Sequence, residues 1–449
     1  MCSETVPTLI ERGGGALVEG ETGTEVPLAQ RVEHVAGVLA ARGFGGGDVL
    51  ALWAPNVPPW AGVALGAMAA GGAVTGMHAA ATDREVAVQR AAARASVLVT
   101  VPALAGRAPD ALVITPDLLA LPTAPVTAPP TADTVAFLPF SSGTTGLPKP
   151  VPLTHRNLTA AMRQVQGALR LTRDDTVLAL PPFCHVMGFV VTLAAPLAAG
   201  ATVVTARRWD PALIDRHKIT VLAVPPPLMA WLAHSESDFP SLQLIVSGGA
   251  PLAPAIQAAV ARRFPHAVVA QGYGMTETAV AISGPDGRRP TPLGSVGVPM
   301  AGTEVRIVDG ELWVRGPQVM TDGWLRTGDL AERDEQGRLF IRDRLKDLIK
   351  VDGFQVAPAE LEALLVSHPE VTDAAAVGEP DARHGEVPVA HVVTRGALDP
   401  EALRRWVDER VAPYKRLAAV TITDAIPRTP TGKTLRRALR RAPAPALPR

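Results

Sequence analysis

The sequence predicts an α/β protein with a large N-terminal domain of βα-built sheets covered by helices, followed by a small α+β C-terminal domain. Short runs rich in Val, Leu and Ile alternate with Ala-rich segments of helical character. Such alternation is typical of parallel sheets with helices on both faces. At 449 residues the chain also exceeds the length at which single hydrophobic cores stop growing, so at least two domains are expected.

The individual elements follow from the same alternation. In the first part, buried strands are expected at 48–52, 96–100, 201–205, 220–224 and 242–246, and helices at 31–42, 83–94 and 254–264. A Pro/Thr/Ala-rich stretch at 121–134 is typical of a surface connection. In the last hundred residues, helices are expected at 357–367 and 400–411, and strands at 374–377 and 387–393. The tail beyond Arg441 is expected to be disordered.

Two long uncharged stretches, 49–82 and 186–206, are long enough to span a bilayer. The first is interrupted by prolines and glycines. The second reads as a buried helix, a stop at Gly200 and a buried strand. Both are therefore interpreted as the core of an α/β domain, with no membrane span.

Charge and cysteine content exclude several classes of protein. Lys plus Arg and Asp plus Glu are balanced at 43 each, so no net charge attracts nucleic acid or an anionic membrane. The two cysteines, Cys2 and Cys184, cannot form a disulfide framework. The first residues lack the apolar segment of a signal peptide. These features predict a cytoplasmic location.

The most informative segment runs from Phe140 to Lys149. Its small residues leave backbone N–H groups open to an anion, its hydroxyls add donors, and Lys149 adds a positive charge. The residues expected to hold a polyphosphate are Ser141, Ser142, Gly143, Thr144, Thr145, Gly146 and Lys149. The glycine spacing is not that of a Walker A loop, which argues against a P-loop kinase or GTPase.

Four further segments carry polar residues suited to nucleotide chemistry: 271–278, 324–329, 343–355 and 427–433. Tyr273 lies between glycines and can face a planar base, while Glu277 is an oxygen ligand suited to Mg²⁺. Asp329 follows a glycine turn and can accept hydrogen bonds from ribose hydroxyls. Taken alone, each of these segments also fits an ordinary turn or a solvated hairpin.

In this order and spacing, the five segments closely resemble the adenylate-forming superfamily of acyl-CoA synthetases, luciferases and peptide-synthetase adenylation domains. The resemblance covers about 16–437 and includes 152–158, 247–252 and 310–316. The branches that it resembles most are the 4-coumarate–CoA ligases and the fatty acyl-CoA synthetases. It implies an ATP-dependent acid–CoA ligase, which forms an acyl-adenylate and pyrophosphate before a thiol displaces AMP.

The resemblance also implies roles for single residues. The 141–149 loop would hold the β- and γ-phosphates of ATP, and the adenine would lie against Gly248, Gly249, Ala250, Tyr273 and Gly274. Thr276 would contact the α-phosphate, Glu277 would bind Mg²⁺, and Asp329 with Arg344 would bind the ribose. Lys433 would be the catalytic lysine, which contacts both the substrate carboxylate and the α-phosphate.

The family's hinge falls at Lys346, which would divide the chain into domains 1–345 and 346–449. The smaller domain would be mobile, turning between an adenylating pose with Lys433 in the site and a thioester-forming pose. In the second pose, Lys350, Gly353 and Gln355 would line the path of the CoA thiol.

The acid site is implied by the resemblance of 182–188 to the Phe-x-His segment of CoA ligases, although His185 also fits a core histidine. The expected pocket residues are small or apolar apart from the histidine: His185, Val186, Gly188, Val246, Gly272 and Met275. No Asp is found to pair with an amino group, which disfavours amino acids. An uncharged aromatic or medium-length aliphatic acid is favoured, and the sequence does not choose between them.

Three departures from the family pattern carry expectations. Pro150 stands where the family usually has glycine, so the exit of the phosphate loop should be stiffer. The 308–311 and 318–324 segments are shorter than usual, and compaction without loss of activity is expected. Two alternatives stay open: a ligase that loads a separate carrier protein's phosphopantetheine, and a nucleotide-binding protein that has lost catalysis.

Overall fold

The computed structural model describes residues 4–115, 121–142, 148–381, 383–429 and 433–440. The α-helices of these residues are α1 (Val6–Gly13), α2 (Leu28–Ala40), α3 (Pro58–Ala69), α4 (Asp83–Ala92), α5 (Pro102–Ala105), α6 (His155–Leu169), α7 (Ala195–Ala198), α8 (Ala212–Arg216), α9 (Pro226–Ala233), α10 (Pro254–Arg263), α11 (Pro358–Val366), α12 (Pro400–Asp408) and α13 (Arg436–Leu439). A π-helix spans Met187–Ala194, and 3₁₀ turns span Thr276–Thr278 and Pro413–Lys415.

The strands of the larger part of the chain are β1 (Leu17–Glu19), β2 (Glu25–Val26), β3 (Val49–Trp53), β4 (Ala73–Met77), β5 (Val97–Thr100), β6 (Leu112–Val113), β7 (Val135–Phe137), β8 (Phe140–Ser142), β9 (Pro148–Pro150), β10 (Leu153–Thr154), β11 (Thr176–Ala179), β12 (Thr202–Thr205), β13 (Val221–Val224), β14 (Leu244–Ser247), β15 (Val268–Gln271), β16 (Ser283–Gly284) and β17 (Val298–Pro299). They are followed by β18 (Glu304–Val308), β19 (Glu311–Arg315), β20 (Leu325–Arg333), β21 (Leu339–Arg344), β22 (Ile349–Val351), β23 (Phe354–Val356), β24 (Val371–Asp381), β25 (Gly385–Thr394) and β26 (Ala419–Ile422).

Two mostly parallel sheets form the centre of the larger domain. One has the strand order β15-β14-β13-β11-β12-β1-β2 and the other β10-β7-β4-β3-β5-β6, with antiparallel strands only at their edges, β2 and β10. Helices α3 and α6 and the π-helix contribute to one large apolar cluster between them. Within it, Phe189 packs against Phe137 with ring centres 4.8 Å apart and against Trp60 at 6.0 Å. These contacts join the two sheets into one core.

The strands and helices expected from the alternating pattern are confirmed to within a few residues. The long apolar stretch at 186–206 is helix, stop and strand as expected, with Gly200 at φ +83° ending the helical part. No helix among the described residues is long and apolar enough to cross a membrane. The 121–134 connection is irregular and largely exposed, and the predicted disordered tail lies outside the described residues.

The last third of the chain forms two further sheets. Strands β18 to β21 make a four-stranded antiparallel sheet in chain order, and β22 to β26 make a five-stranded sheet against which α11 and α12 pack. The second sheet with its helices is the small α+β domain. The shortened 308–311 connection is a two-residue turn in which Asp309 has φ +50° and Gly310 has φ +80°. Turns of this Asp-Gly type suit tight hairpins, which explains how the segment can be so short.

Asn56 connects the carboxyl ends of the two central sheets. It follows β3 and is 7 % exposed. Its side-chain Nδ2 lies 2.9–3.1 Å from the carbonyl oxygens of Ala179, Leu180 and Pro181, and Phe183 N–H donates to its Oδ1 at 2.9 Å. The turn after β11, which leads into His185 and the π-helix, is therefore held by a side chain from the other sheet.

The loop after β15 closes tightly on itself at Gly274. A Cβ atom on Gly274 would lie 1.5 Å from the carbonyl oxygen of Val280. Val280 itself has φ +97°, a conformation that β-branched residues rarely adopt. Its N–H donates to the carbonyl oxygen of Met275 at 3.2 Å, which holds the strained residue in place. Only glycine fits at 274 without moving this backbone.

We expect Gly274→Ala to lower the free energy of unfolding by about 1–3 kcal/mol, because the added methyl group must displace a backbone carbonyl. Urea unfolding followed by tryptophan fluorescence measures the change. The matched control is Gly167→Ala in α6, where a Cβ would meet no atom within 4 Å. That variant should gain about 0.5–1 kcal/mol, since alanine is the better helix former. Equal stability of Gly274→Ala and the unaltered protein would contradict the assigned contact.

Candidate functional site

The segments singled out in the sequence meet where neighbouring parallel strands end. Residues 248–250 follow β14 and residues 272–278 follow β15. The two strands are paired in register up to Ser247 and Gln271, and Gly272 N–H donates to the carbonyl oxygen of Ser247 at 2.9 Å. The carboxyl end of a parallel sheet is where open α/β proteins bind their ligands. The expected adenine loop and the loop carrying Tyr273 are therefore adjacent.

Asp329 is the most deeply buried charged group of the site, with its side chain 3 % exposed. Tyr273 donates its hydroxyl to Oδ2 at 2.5 Å, and the guanidinium of Arg344 lies 2.9 Å from Oδ1. The Arg344 contact is an ion pair without hydrogen-bond geometry, so Oδ1 can still accept a hydrogen bond. Burial, followed by the charge of Asp329, raises the pKa of Tyr273 well above its usual value, which keeps the phenol a donor.

The local sequence explains why Asp329 points into the site. Gly328 has φ +71°, and its N–H donates to the buried carboxylate of Glu311 at 3.0 Å. The Thr327 hydroxyl donates to the carbonyl oxygen of Leu312 at 2.7 Å and accepts from Asp329 N–H at 3.1 Å. Strands β20 and β21 place Asp329 directly opposite Arg344. The register of β20 and β21 therefore brings Asp329 and Arg344 together as an ion pair.

The backbone of Glu277 is held by the 317–320 loop, and a side chain of α6 holds that loop in turn. Met320 N–H donates to the carbonyl oxygen of Glu277 at 2.9 Å. The Asn157 side chain of α6 donates to the carbonyl oxygens of Pro317 and Val319 at 3.0 and 2.9 Å. This connection is the segment predicted to be compact, and it keeps its contact with Glu277.

The Glu277 carboxylate accepts no hydrogen bond and forms no ion pair within the described ranges. A partly exposed, unpaired carboxylate fits Mg²⁺, which proteins usually hold with one or two carboxylates together with substrate phosphates. No group of three or more His, Cys, Asp or Glu residues in the described part of the chain could hold a metal ion without such phosphates.

The expected phosphate loop is described only at its two ends. Strands β8 and β9 form a hairpin that pairs Ser141 with Lys149 and Phe140 with Pro150. Pro150 thus lies in a short two-stranded hairpin, where the missing N–H is tolerated. Gly143, Thr144, Thr145 and Gly146 lie outside the described residues, so their expected phosphate contacts stay predictions.

His185 lies half-buried in the turn held by Asn56. Burial, followed by electrostatic repulsion from His78, lowers the pKa of His185 to about 4, so its imidazole is neutral at physiological pH. Gly188, two residues into the next helical segment, lies so close to the carbonyl oxygen of Pro182 that a Cβ would be 2.1 Å away. A Cβ on Gly248 would lie 3.9 Å from Cε of Met187, which brings the expected acid and adenine segments together.

Of the other expected acid-pocket residues, Val186, Gly188 and Val246 are buried, whereas Gly272 and Met275 are partly exposed. The sequence assigned no role to Asn56, Asn157 or His78, although Asn157 lies in the matched 152–158 motif, because each acts on a segment far away along the chain.

Lys433 lies in the small domain, where its backbone pairs with Thr429. Thr429 N–H donates to the carbonyl oxygen of Lys433 at 2.8 Å, and Lys433 N–H donates to the Thr429 hydroxyl at 3.1 Å. Burial, then the positive charges of Arg344 and Lys346, lowers the pKa of Lys433 to about 8, while Asp347 and Asp329 act in the opposite direction. The lysine therefore lies within electrostatic reach of the Asp329–Arg344 pair.

Lys350, Gly353 and Gln355, expected on the thiol path in the second pose, lie on the exposed β22–β23 hairpin. The neighbouring Phe354 is 55 % exposed and stacks on Tyr414. In this arrangement the hairpin is exposed, so the expected thiol-path role stays a prediction for the second pose.

The chain is similar to known proteins along most of its length. The chain matches the AMP-binding enzyme family over residues 16–322 and the AMP-binding enzyme C-terminal domain over residues 360–433. It is 38 % identical over 499 aligned positions to 4-coumarate–CoA ligase 3 of Oryza sativa subsp. japonica, covering 96 % of this chain and 90 % of that protein.

Solved structures agree in fold. ATP-bound MatB from Rhodopseudomonas palustris superimposes with a TM-score of 0.88 at 27 % identity, covering 97 % of this chain and 98 % of that one. The o-succinylbenzoate CoA synthetase from Bacillus subtilis, solved with its acyl-adenylate intermediate, gives 0.86 at 27 % identity over 98 % and 99 % of the two chains. With its two family matches and a relative this similar along nearly its whole length, the chain belongs to the AMP-binding enzyme family.

Proposed function

We propose that this protein is an ATP-dependent acid–CoA ligase. It joins a carboxylic acid to ATP, giving an acyl-adenylate and pyrophosphate, and the thiol of CoA then displaces AMP. The observation that carries the proposal is the buried Asp329, held by Tyr273 and Arg344 with Lys433 in electrostatic reach. The relatives named as 4-coumarate–CoA ligases support the same reaction.

Each half of this site has a distinct task in the adenylation step. Oδ1 of Asp329 accepts a hydrogen bond from a ribose hydroxyl, while Arg344 offsets the charge of the carboxylate. Lys433, when protonated, attracts both the acid's carboxylate and the α-phosphate, two anions that repel each other as they react. Thr276 would contact the α-phosphate, and Glu277 would hold Mg²⁺, which would supply positive charge to the phosphates. The glycine-rich loop and Lys149 hold the outer phosphates, and Gly248, Gly249, Ala250 and Gly274 leave room for the adenine.

The acid is proposed to be an uncharged aromatic acid of the 4-coumarate type. The related ligases are named for that substrate. A neutral His185 can donate a hydrogen bond to a ring substituent, or accept one from it, without introducing a charge into the apolar pocket. A medium-length aliphatic acid is the competing substrate.

Free CoA is proposed as the acceptor. The relatives are CoA ligases, and the comparisons give no support to the alternative in which a carrier protein's phosphopantetheine is loaded. The remaining alternative, a nucleotide-binding protein without catalysis, conflicts with the intact polar cluster around Asp329. A cytoplasmic location belongs to the same proposal, because ATP and CoA are supplied there.

The reaction is tested by incubating the protein with ATP, Mg²⁺ and one acid at a time from a panel of hydroxycinnamic, benzoic and medium-chain aliphatic acids, with and without CoA. We expect pyrophosphate release that depends on the acid, acyl-CoA as the final product and the highest kcat/KM for a hydroxycinnamic acid. Pyrophosphate release and mass spectrometry of the products are the measurements.

Lys433→Ala is the matched control for that panel, because it should remove acyl-adenylate formation and spare CoA transfer from supplied acyl-adenylate. Acyl-adenylate that accumulates despite CoA would favour a carrier-protein acceptor. ATP binding without pyrophosphate release from any acid would overturn the ligase and favour the inactive nucleotide-binding protein.

The lowered pKa of Lys433 predicts a pH dependence of adenylation. With a pKa of about 8, the ammonium group is present below pH 8 and is lost as the pH rises through 8. If the ammonium charge of Lys433 is what attracts the two anions, kcat/KM for ATP should be constant below pH 8. Above pH 8 it should fall about tenfold per pH unit. Initial pyrophosphate rates between pH 6 and 9.5 measure this profile.

Lys433→Arg separates this titration from others, because a guanidinium stays charged throughout that range. We expect a lower rate but no fall near pH 8. A fall at the same pH in the arginine variant would assign the titration to another group.

A further inference from the structure

Asp343 accepts a hydrogen bond that connects two parts of the chain on either side of the proposed hinge at Lys346. It lies on β21 of the four-stranded sheet and is 8 % exposed. Its Oδ2 accepts from the N–H of Ala359 at 2.8 Å. Ala359 is the second residue of α11, and α11 packs on β24 of the five-stranded sheet. The contact therefore crosses from the large domain to the small one.

This contact completes the amino end of α11. The residue before the helix, Ala357, has no side chain that can accept a hydrogen bond, and Pro358 has no N–H. The N–H of Glu360 is used within the turn, where it reaches the carbonyl oxygen of Ala357 at 3.2 Å. Asp343 supplies the acceptor for Ala359. Although burial raises the pKa of Asp343 to about 6, the group is mainly ionised at pH 7, and a negative charge favours a helix amino end.

Helix α12 of the same domain is capped in the ordinary way. Asp399 immediately precedes the helix and accepts from the N–H groups of Glu401 and Ala402 at 3.0 and 3.2 Å. Helices α11 and α12 have the same number of residues, nine each. The two capping residues belong to different domains. Asp399 lies in the same domain as α12 and moves with it, whereas Asp343 lies in the large domain and α11 in the small one.

Helix α11 is in turn connected to the segment that carries Lys433. Glu362 of α11 forms a two-point ion pair with Arg436, three residues beyond the lysine. Arg436 also donates to the carbonyl oxygen of Ala376 at 2.8 Å. Both charged side chains are less than a fifth exposed. The orientation of α11 is therefore transmitted to Lys433.

We propose that Asp343 is a positioning residue for the adenylation step, which caps α11 only in the pose that brings Lys433 to the Asp329–Arg344 pair. The inference rests on the proposed two-step function and on a hinge at Lys346. Rotation of the small domain carries Ala359 away from Asp343, so the cap is present in the adenylating pose and absent from the thioester-forming pose. Asp343 thereby favours the first pose without touching substrate.

The test compares Asp343→Ala with Asp399→Ala, which removes a cap of the same chemistry within one domain. Loss of a typical cap corresponds to a shift of about fivefold in an equilibrium. We expect Asp343→Ala to slow acid-dependent pyrophosphate release by about that factor while CoA transfer from supplied acyl-adenylate is unchanged or faster. Asp399→Ala should lower the melting temperature without changing the ratio of the two rates. Asp343→Asn, whose amide oxygen can still accept from Ala359, should restore most of the adenylation rate.

Parallel loss of both rates in Asp343→Ala would overturn the inference, because a merely structural residue affects both steps. The same holds if Asp399→Ala changes the ratio equally. If Asp343→Ala does not fold, Asp343→Asn decides by its rate ratio, which should lie within about twofold of the unaltered protein. Failure of the proposed function appears separately, as a lack of pyrophosphate release by the unaltered protein with every acid.

Discussion

A buried carboxylate at the end of a sheet is the constraint around which the site is arranged. Removing the charge of Asp329 from water costs several kcal/mol unless charged or hydrogen-bonding partners replace the solvent. Tyr273 and Arg344 are those partners, and they come from the loop after β15 and from the neighbouring strand β21. Arg344 in turn contributes to the lowered pKa of Lys433. The charge state of the lysine therefore depends on how the aspartate is neutralised.

Buried amide side chains hold the loops around this cluster. Gln164 of α6 donates to the side chain of Gln318, and Gln318 donates to the carbonyl oxygen of Ala281 at 3.0 Å, next to the strained Val280. Asn157 holds the adjacent turn, which binds the backbone of Glu277. Each amide satisfies carbonyl groups that would otherwise be buried without a donor. Gln318, Val319 and Met320 belong to the shortened 318–324 segment, so these contacts hold the loops in shape although that segment is short.

The sequence predicted the fold well where the pattern is local. Strand β12 is a continuous β-branched run and β13 a continuous apolar run, and helices such as α10 follow from a proline start and an apolar period. The site residues were reached through ordered motifs, and Tyr273, Asp329, Arg344 and Lys433 do come together. Their roles in catalysis stay predictions until activity is measured.

What the sequence did not predict depends on contacts between distant segments. The helical segment Met187–Ala194 has π geometry, which an apolar run does not distinguish from an α-helix. Asp343 looked like one charge among many in a solvated hairpin, and only the packing of α11 shows that it is buried and paired. Exposure of the β22–β23 hairpin likewise depends on the domain arrangement.

The Asn56 contact also affects how the proposed acid site forms during folding. Asn56 is 123 to 127 residues away from the backbone groups that it binds. Contacts of such high sequence separation cost chain entropy before they stabilise the fold, which slows folding. During synthesis, the turn that carries His185 leaves the ribosome after the strand that must hold it. The proposed acid site is therefore completed when the second sheet docks on the first, and a fragment without the first sheet would contain His185 without the Asn56 contacts that hold its turn.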